Sequence, residues 1–373
     1  MIVDLHAHPA NKTYLFGRAF HGRGPAGDHR SHRAGPALDP FAMRVDLPAL
    51  VAGGVRTLVS AIYLPEPGLF GDCAPLGLAR WFGPRRWKVL FEGPHLDRTL
   101  DLLDAFETEV AGSDDVGGVR GVVVHSNAAL DQAVAEGNVA LVHAVEGGHS
   151  LDGNPAGVSR LFDRGVALLT LAHFYPNGLA FPVPGVPPDM RFLGCFTQEH
   201  DLARGLTPAG RDVIAEMVRL GMVLDLTHCT PVARRQALDA VGGRRPVVFS
   251  HVGVSALHPD PMNPTDDEIR AVTDTGGVIG VIFMNSWLVG DRRGDGLNHV
   301  VRTLEHLRQV GGAGCPAIGT DFDGFTDPPD DLRNPARLPA VAEALRSAGW
   351  SRGDIDGVMG ANARRVLREG WGR

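Results

Sequence analysis

The stretch "MVLDLTHCTPVARRQALDAVGGRRPVVFSH", residues 222–251, reads as strand, helix, strand. Its two outer runs, 222–228 and 246–251, are short, apolar and rich in β-branched residues, and each ends in a histidine, His228 and His251. Continuous apolar runs of this length suit parallel strands covered on both faces. Between them, Thr230 is placed to cap a helix that has Pro231 at its first position. A strand–helix–strand unit that carries a histidine at the end of each strand sets the question for the rest of the chain.

The same unit recurs in both directions. Further strands are expected at 2–6, 55–64, 139–146, 166–173, 278–283 and 316–321, which brings the expected set to eight. Helical segments lie between most of them, at 207–221 (again opening on Thr-Pro), 263–277, 296–312 and 336–349. This alternation predicts a (β/α)8 TIM barrel, an α/β fold with its active face at the C-terminal ends of the strands. A doubly wound open sheet is the alternative, but no GxGxxG turn follows the first strand. The whole chain, 1–373, is read as one barrel domain. Two stretches rich in Gly, Pro and polar residues, about 17–40 and 174–205, are read as loop excursions over the barrel mouth.

Composition narrows the function. Lys and Arg total 36 against 43 Asp and Glu, a net charge of −7, which argues against a general nucleic-acid surface. No signal peptide and no membrane-spanning apolar run is visible. Cys73, Cys195, Cys229 and Cys315 are scattered without a CxxC, so free thiols and a cytoplasmic location are expected.

Polar residues stand at the expected strand ends with unusual regularity. His6 and His8 close the first strand, Glu146 the run 139–146 and His173 the run 166–173. His228, His251 and Asp321 close three more. A barrel gathers all these ends on one face. The imidazoles and carboxylates form a nitrogen-and-oxygen donor set suited to a pair of Zn²⁺-like ions. Two ions need a bridge, and no lysine occurs beyond Lys88 to be carboxylated for that purpose. Glu146, in "HAVEGGHS" (143–150), is therefore the candidate bridging carboxylate.

At this level of detail the chain resembles the membrane (renal) dipeptidase-like family, peptidase family M19 of the amidohydrolase superfamily. The resemblance rests on "DLHAHP" (4–9), "VDLPALVAGGV" (45–55), "VEGGHSL" (145–151) and "LTLAHFYPNGLA" (169–180). It continues through "GLTPAGRDVIAEMVRLGMVLDLTH" (205–228), "PVVFSHVG" (246–253), "GTDFDG" (319–324) and "GANARRVL" (360–367). It implies a zinc-dependent hydrolase with a binuclear site. His6, His8 and Glu146 would hold one metal, and His228, His251 and the shared Glu146 the other. His173 would contact substrate and stabilise the oxyanion, and Asp321 would handle protons and meet the substrate amine.

Two departures from the family pattern matter. His8 stands where the family usually has aspartate, which removes a negative charge from the site. Met262, in "PMNPTDDE" (261–268), stands where an arginine would hold the substrate's carboxylate end, and methionine carries neither charge nor donor. The expected function is hydrolysis of an amide bond in a dipeptide-like or N-acyl amino acid substrate by a metal-bridging hydroxide. The alternatives are a TatD-type metal-dependent nuclease or phosphoesterase, and a non-catalytic binding protein on the same scaffold. The expected partner is a small peptide-like molecule, with no nucleic acid and no membrane, and a homodimer is the oligomeric option. Cys229 is read as a structural thiol, Asp225 as a buried residue with a partner, and Asp323 as orienting Asp321 or its loop.

Overall fold

The computed structural model describes residues 1–21, 42–73, 90, 93–186, 195–196, 198–290, 294–324 and 326–373. Much of the first expected excursion (22–41) and part of the second (187–194 and 197) lie outside the described residues.

The strands are β1 (Ile2–Ala7), β2 (Val55–Ile62), β3 (Gly121–Val124), β4 (Val139–Glu146), β5 (Val166–Thr170), β6 (Val223–Asp225), β7 (Val247–Val252), β8 (Val278–Val281) and β9 (Pro316–Ile318). Every pairing between them is parallel. Eight strands close a ring in the order β1-β2-β4-β5-β6-β7-β8-β9, and β9 returns to β1. The barrel read from the sequence is present.

β3 is an addition to the eight expected strands. It pairs with Val139–Val142 of β4, below the point where β5 takes over at His143. Its four residues are mostly half-buried, so its sequence lacks the fully apolar signature that marks the ring strands. β6 is also shorter than expected and ends at Asp225, three residues before His228.

The helix starts follow their capping chemistry. Thr207 and Thr230 accept the backbone N–H of Gly210 and Ala233, and Thr265 forms a reciprocal capping box with Glu268. Such caps each contribute about 1 kcal/mol. The C-terminal helix Asn362–Gly370 brings Ala363, Val366 and Leu367 into one apolar cluster with Val3 and Leu5 of β1 and Ala140 and Val142 of β4. The turn Gly357–Ala361 just before it sits against the end of the barrel where the strands begin: a Cβ at Gly360 would stand 2.5 Å from the Met1 carbonyl oxygen. The opposite end is left to the polar strand ends.

The cysteine expectation is corrected. Cys73 and Cys195 form a disulfide across a sequence separation of 122, while Cys229 and Cys315 are free and buried. Spacing alone could not reveal that pairing, because the two residues meet only through the packing of separate loops. Burial pushes the Cys229 thiol up to about 12, as suits the structural role expected of it. Among the described residues, no helix is long and apolar enough to cross a membrane.

Candidate metal centre

Glu146, at the C-terminal end of β4, is 3% exposed and lies at the middle of a ring of imidazoles. Its Oε1 is 3.3 Å from His6 Nε2, 3.3 Å from His228 Nε2 and 3.5 Å from His251 Nε2. Its Oε2 is 3.3 Å from His8 Nε2 and 3.4 Å from His173 Nε2. The Nε2 atoms of His6 and His8 are 3.0 Å apart, and those of His228 and His251 are 3.1 Å apart. Asp321 Oδ1 completes the group, 3.3 Å from His8 Nε2 and 3.8 Å from His6 Nε2. All seven expected chemical residues converge, and all are buried.

Each position has a local cause. His6 is the penultimate residue of β1, and His8 lies just past its end, tied by its backbone N–H to the Phe322 carbonyl at 2.8 Å. His228 and Asp321 both have positive φ, 67° and 57°. Non-glycine residues in that region cost on the order of 1–3 kcal/mol and persist where surrounding structure over-determines them. In both cases the left-handed residue comes three positions past a short strand, and its side chain joins the cluster, His228 against Glu146 and Asp321 against His8.

A layer of buried hydrogen bonds fixes the rings from beneath. Asp225 accepts from Thr170 Oγ1 (2.7 Å), Thr227 Oγ1 (2.7 Å) and Ser250 Oγ (2.6 Å), which joins β5, β6 and β7. With its proton given to Asp225, the Ser250 oxygen accepts from His251 Nδ1 at 2.9 Å. That bond leaves His251 Nε2 as the lone-pair atom facing Glu146. Asp4 does similar work at the β1–β9 seam, accepting from Thr320 Oγ1 at 2.7 Å and from the His6 backbone N–H at 3.3 Å. Burial raises its pKa to about 6. Asp323 accepts the backbone N–H groups of Arg44 and Val45, each at 2.9 Å, and so ties the segment before residue 47 to the Asp321 turn.

The donor set and its spacing fit a divalent metal. Ligands ~2.0–2.1 Å from a tetrahedral ion stand ~3.3 Å from one another, close to the spacings around Glu146. Burial, with His6 nearby, holds His251 well below the usual imidazole range, and burial with His173 lowers His228. Burial alone would raise Glu146, but His173, His6 and His8 hold its carboxyl well below the usual carboxylate range. Neutral imidazoles and an ionised carboxylate are the forms that ligate; against its burial, Glu146 and Asp321 push His8 up to about 10, so an ion bound there would displace a proton. Three overlapping groups offer ligand atoms within 4.8 Å of one another: His6, Glu146 and His251; His6, His8 and Asp321; and Glu146, His173 and His228.

Two observations go beyond the sequence reading. Met262 is fully buried in the main apolar cluster, and its carbonyl accepts from the buried Arg234 at 2.9 Å. Its side chain therefore packs inward and presents no polar group to a substrate. Glu66 was missed altogether. It lies four residues past the end of β2, is 1% exposed, and its carboxylate lies 3.3 Å from His173 Nδ1. The available signal was an acidic residue two positions beyond the run expected at 55–64.

A closed parallel barrel with a histidine–carboxylate cluster at the C-terminal ends of its strands defines a metal-dependent hydrolase. The family model for membrane dipeptidase, peptidase family M19, matches residues 33–370, and the chain belongs to that family. His6 and His8 precede the matched span, so their membership of the site rests on the geometry above. The chain is 32% identical over 240 residues to a Klebsiella pneumoniae protein described as an uncharacterized protein in the pqqA 5' region, covering 62% of this chain and 83% of that one. It is 33% identical over 235 residues to dipeptidase tcpJ of Claviceps purpurea, covering 62% of this chain and about half (51%) of that enzyme. The crystal structure of the dipeptidase AC, a metallopeptidase of family M19, superposes with a TM-score of 0.77 at 23% identity, over 100% of this chain and 99% of that one.

Proposed function

We propose that the chain hydrolyses the amide bond of a dipeptide-like or N-acyl amino acid substrate, with two divalent ions, Zn²⁺ by donor chemistry, held around Glu146. His6, His8 and Glu146 would hold one ion, and His228, His251 and Glu146 the other. Bound ions would supply Lewis-acid activation of water and of the scissile carbonyl.

The protein's own groups do the rest. Asp321, buried at the rim of the cluster, is placed to accept a proton and return it to the leaving amine. His173 faces the same centre from the turn after β5 and, with the ring doubly protonated, donates Nε2–H to the developing oxyanion, a kind of contact worth ~2.7–4 kcal/mol of barrier. Phe174 packs on His173 with ring centroids 3.7 Å apart, and Tyr63 packs at 4.5 Å, so the ring works against apolar walls.

The observation that carries this reading is the single carboxylate of Glu146 meeting imidazoles from β1, β5, β6 and β7 at 3.3–3.5 Å. The test is release of free amine from a panel of dipeptides and N-acyl amino acids, with and without a chelator. Metal-dependent release supports the assignment. A metal-loaded protein inert across the panel contradicts it and favours the binding-protein alternative.

A further inference from the structure

Glu66 is a buried carboxylate, and among the described residues no Lys or Arg is bonded to it. Its Oε1 accepts the Tyr175 backbone N–H at 3.0 Å, and its Oε2 accepts the Phe174 N–H at 3.1 Å. The Tyr63 hydroxyl donates to Oε2 at 3.4 Å, and His173 Nδ1 lies 3.3 Å from the same oxygen. His149 Nδ1 is farther, 3.9 Å from Oε1. Burying a carboxylate is costly unless its lone pairs are satisfied, and here three consecutive residues, 173 to 175, satisfy most of them.

That arrangement has a directional result. The two backbone bonds hold the turn that leaves β5, and the ring bond holds the rotation of the His173 imidazole. With Nδ1–H given to Glu66, Nε2 is the nitrogen aimed at the centre, 3.4 Å from Glu146 Oε2, and it donates to an oxyanion when the ring carries both protons. A carboxylate behind a functional histidine sets its tautomer and orientation, and loss of such a partner typically costs 10–100-fold. Among the described residues, the bonds Glu66 makes reach the centre only through His173.

We infer that Glu66 is a positioning residue: it holds His173 in the orientation in which Nε2 meets the substrate carbonyl. The inference rests on the hydrolase reading for its kinetic consequence, but the pairing itself has its own test.

Three variants decide it: Glu66→Gln, His173→Ala and the double variant. Glu66→Gln should lower kcat by ~10–100-fold with metal content kept and KM little changed. In the His173→Ala background the same change should cost almost nothing further, because residues that act as a unit are non-additive. A role confined to folding would instead lower both backgrounds alike. Independently of turnover, a downfield Nδ1–H proton resonance should be present in the wild type and absent from both single variants. If Glu66→Gln does not fold, Glu66→Asp, which keeps the charge and shortens the reach, should show a partial kcat loss and a shifted resonance. Full kcat in Glu66→Gln, an equal loss in both backgrounds, or a resonance that survives in Glu66→Gln would overturn the inference. A wild type inert on all amides but showing the resonance would remove the hydrolase reading and leave the pairing standing.

Discussion

The centre has a floor and a wall, and they are built differently. The floor is His6, His8, Glu146, His228 and His251, set on or just past the ends of strands and braced by Asp4 and Asp225 across neighbouring strands. The wall is the segment after β2 and the turn after β5, joined by Glu66 and by Tyr175, whose hydroxyl donates to Asp72 at 2.9 Å. The Cys73–Cys195 disulfide closes the same side. The floor draws its precision from the barrel's hydrogen-bond ladder, so moving most of its side chains means moving a strand. The wall draws its precision from a few contacts between loops. Metal affinity should therefore depend on the floor and substrate handling on the wall.

The largest break is expected at the centre of the floor. Glu146→Gln removes the one charge that all the imidazoles share, so turnover should vanish and the content of both metals should fall in elemental analysis. His228→Ala should chiefly empty one site. Full occupancy and turnover in Glu146→Gln would mean the bridge is misassigned.

Asp321 tests the boundary between the two regions. Asp321→Asn cannot accept and return a proton, and kcat should drop by ~10²–10⁴-fold while both metals stay bound. The acidic limb of the pH–rate profile should change with it. Unchanged kcat would remove Asp321 from the chemistry.

The third effect concerns what the wall does not contain. Met262 packs into the core, and the charge-assisted bond that an arginine would make to a free carboxylate contributes roughly 1.5–3 kcal/mol. Ordinary dipeptides should therefore lose their ~10- to 150-fold advantage over amide-capped counterparts in kcat/KM. A strong preference for the free acid would show that another cation has taken the role.

The smallest functional effect is expected at the disulfide. Cys73→Ser should lower stability by ~2–4 kcal/mol, read as a lower Tm, with metal content unchanged. Denatured, unreduced wild type should titrate with two thiols, Cys229 and Cys315. Four thiols would show that the wall is not covalently closed and would restore the original expectation of free cysteines.

This division also explains what could be read from the chain. A candidate ligand at a strand end is announced twice, by the apolar run that precedes it and by the barrel that brings all such ends together. Hence His228 and His251 were visible from a single strand–helix–strand stretch. The family resemblance then gave His173 and Asp321 their proposed roles. The wall has no such local signature. Glu66 and His173 are 107 residues apart, and Cys73 and Cys195 are 122 apart. Nothing in either loop alone specifies its partner. The positive φ of His228 and Asp321 was equally hidden, since neither residue type demands it. Met262 was noticed as a missing arginine, but only the packing around Arg234 shows that its side chain turns into the core.

The most direct test of the account is anomalous diffraction from crystals of the metal-loaded protein. Two peaks are predicted ~3.5–4 Å apart, one on each side of the Glu146 carboxylate, with His6 and His8 on one and His228 and His251 on the other. A single peak, or two peaks of which neither contacts Glu146, would contradict it.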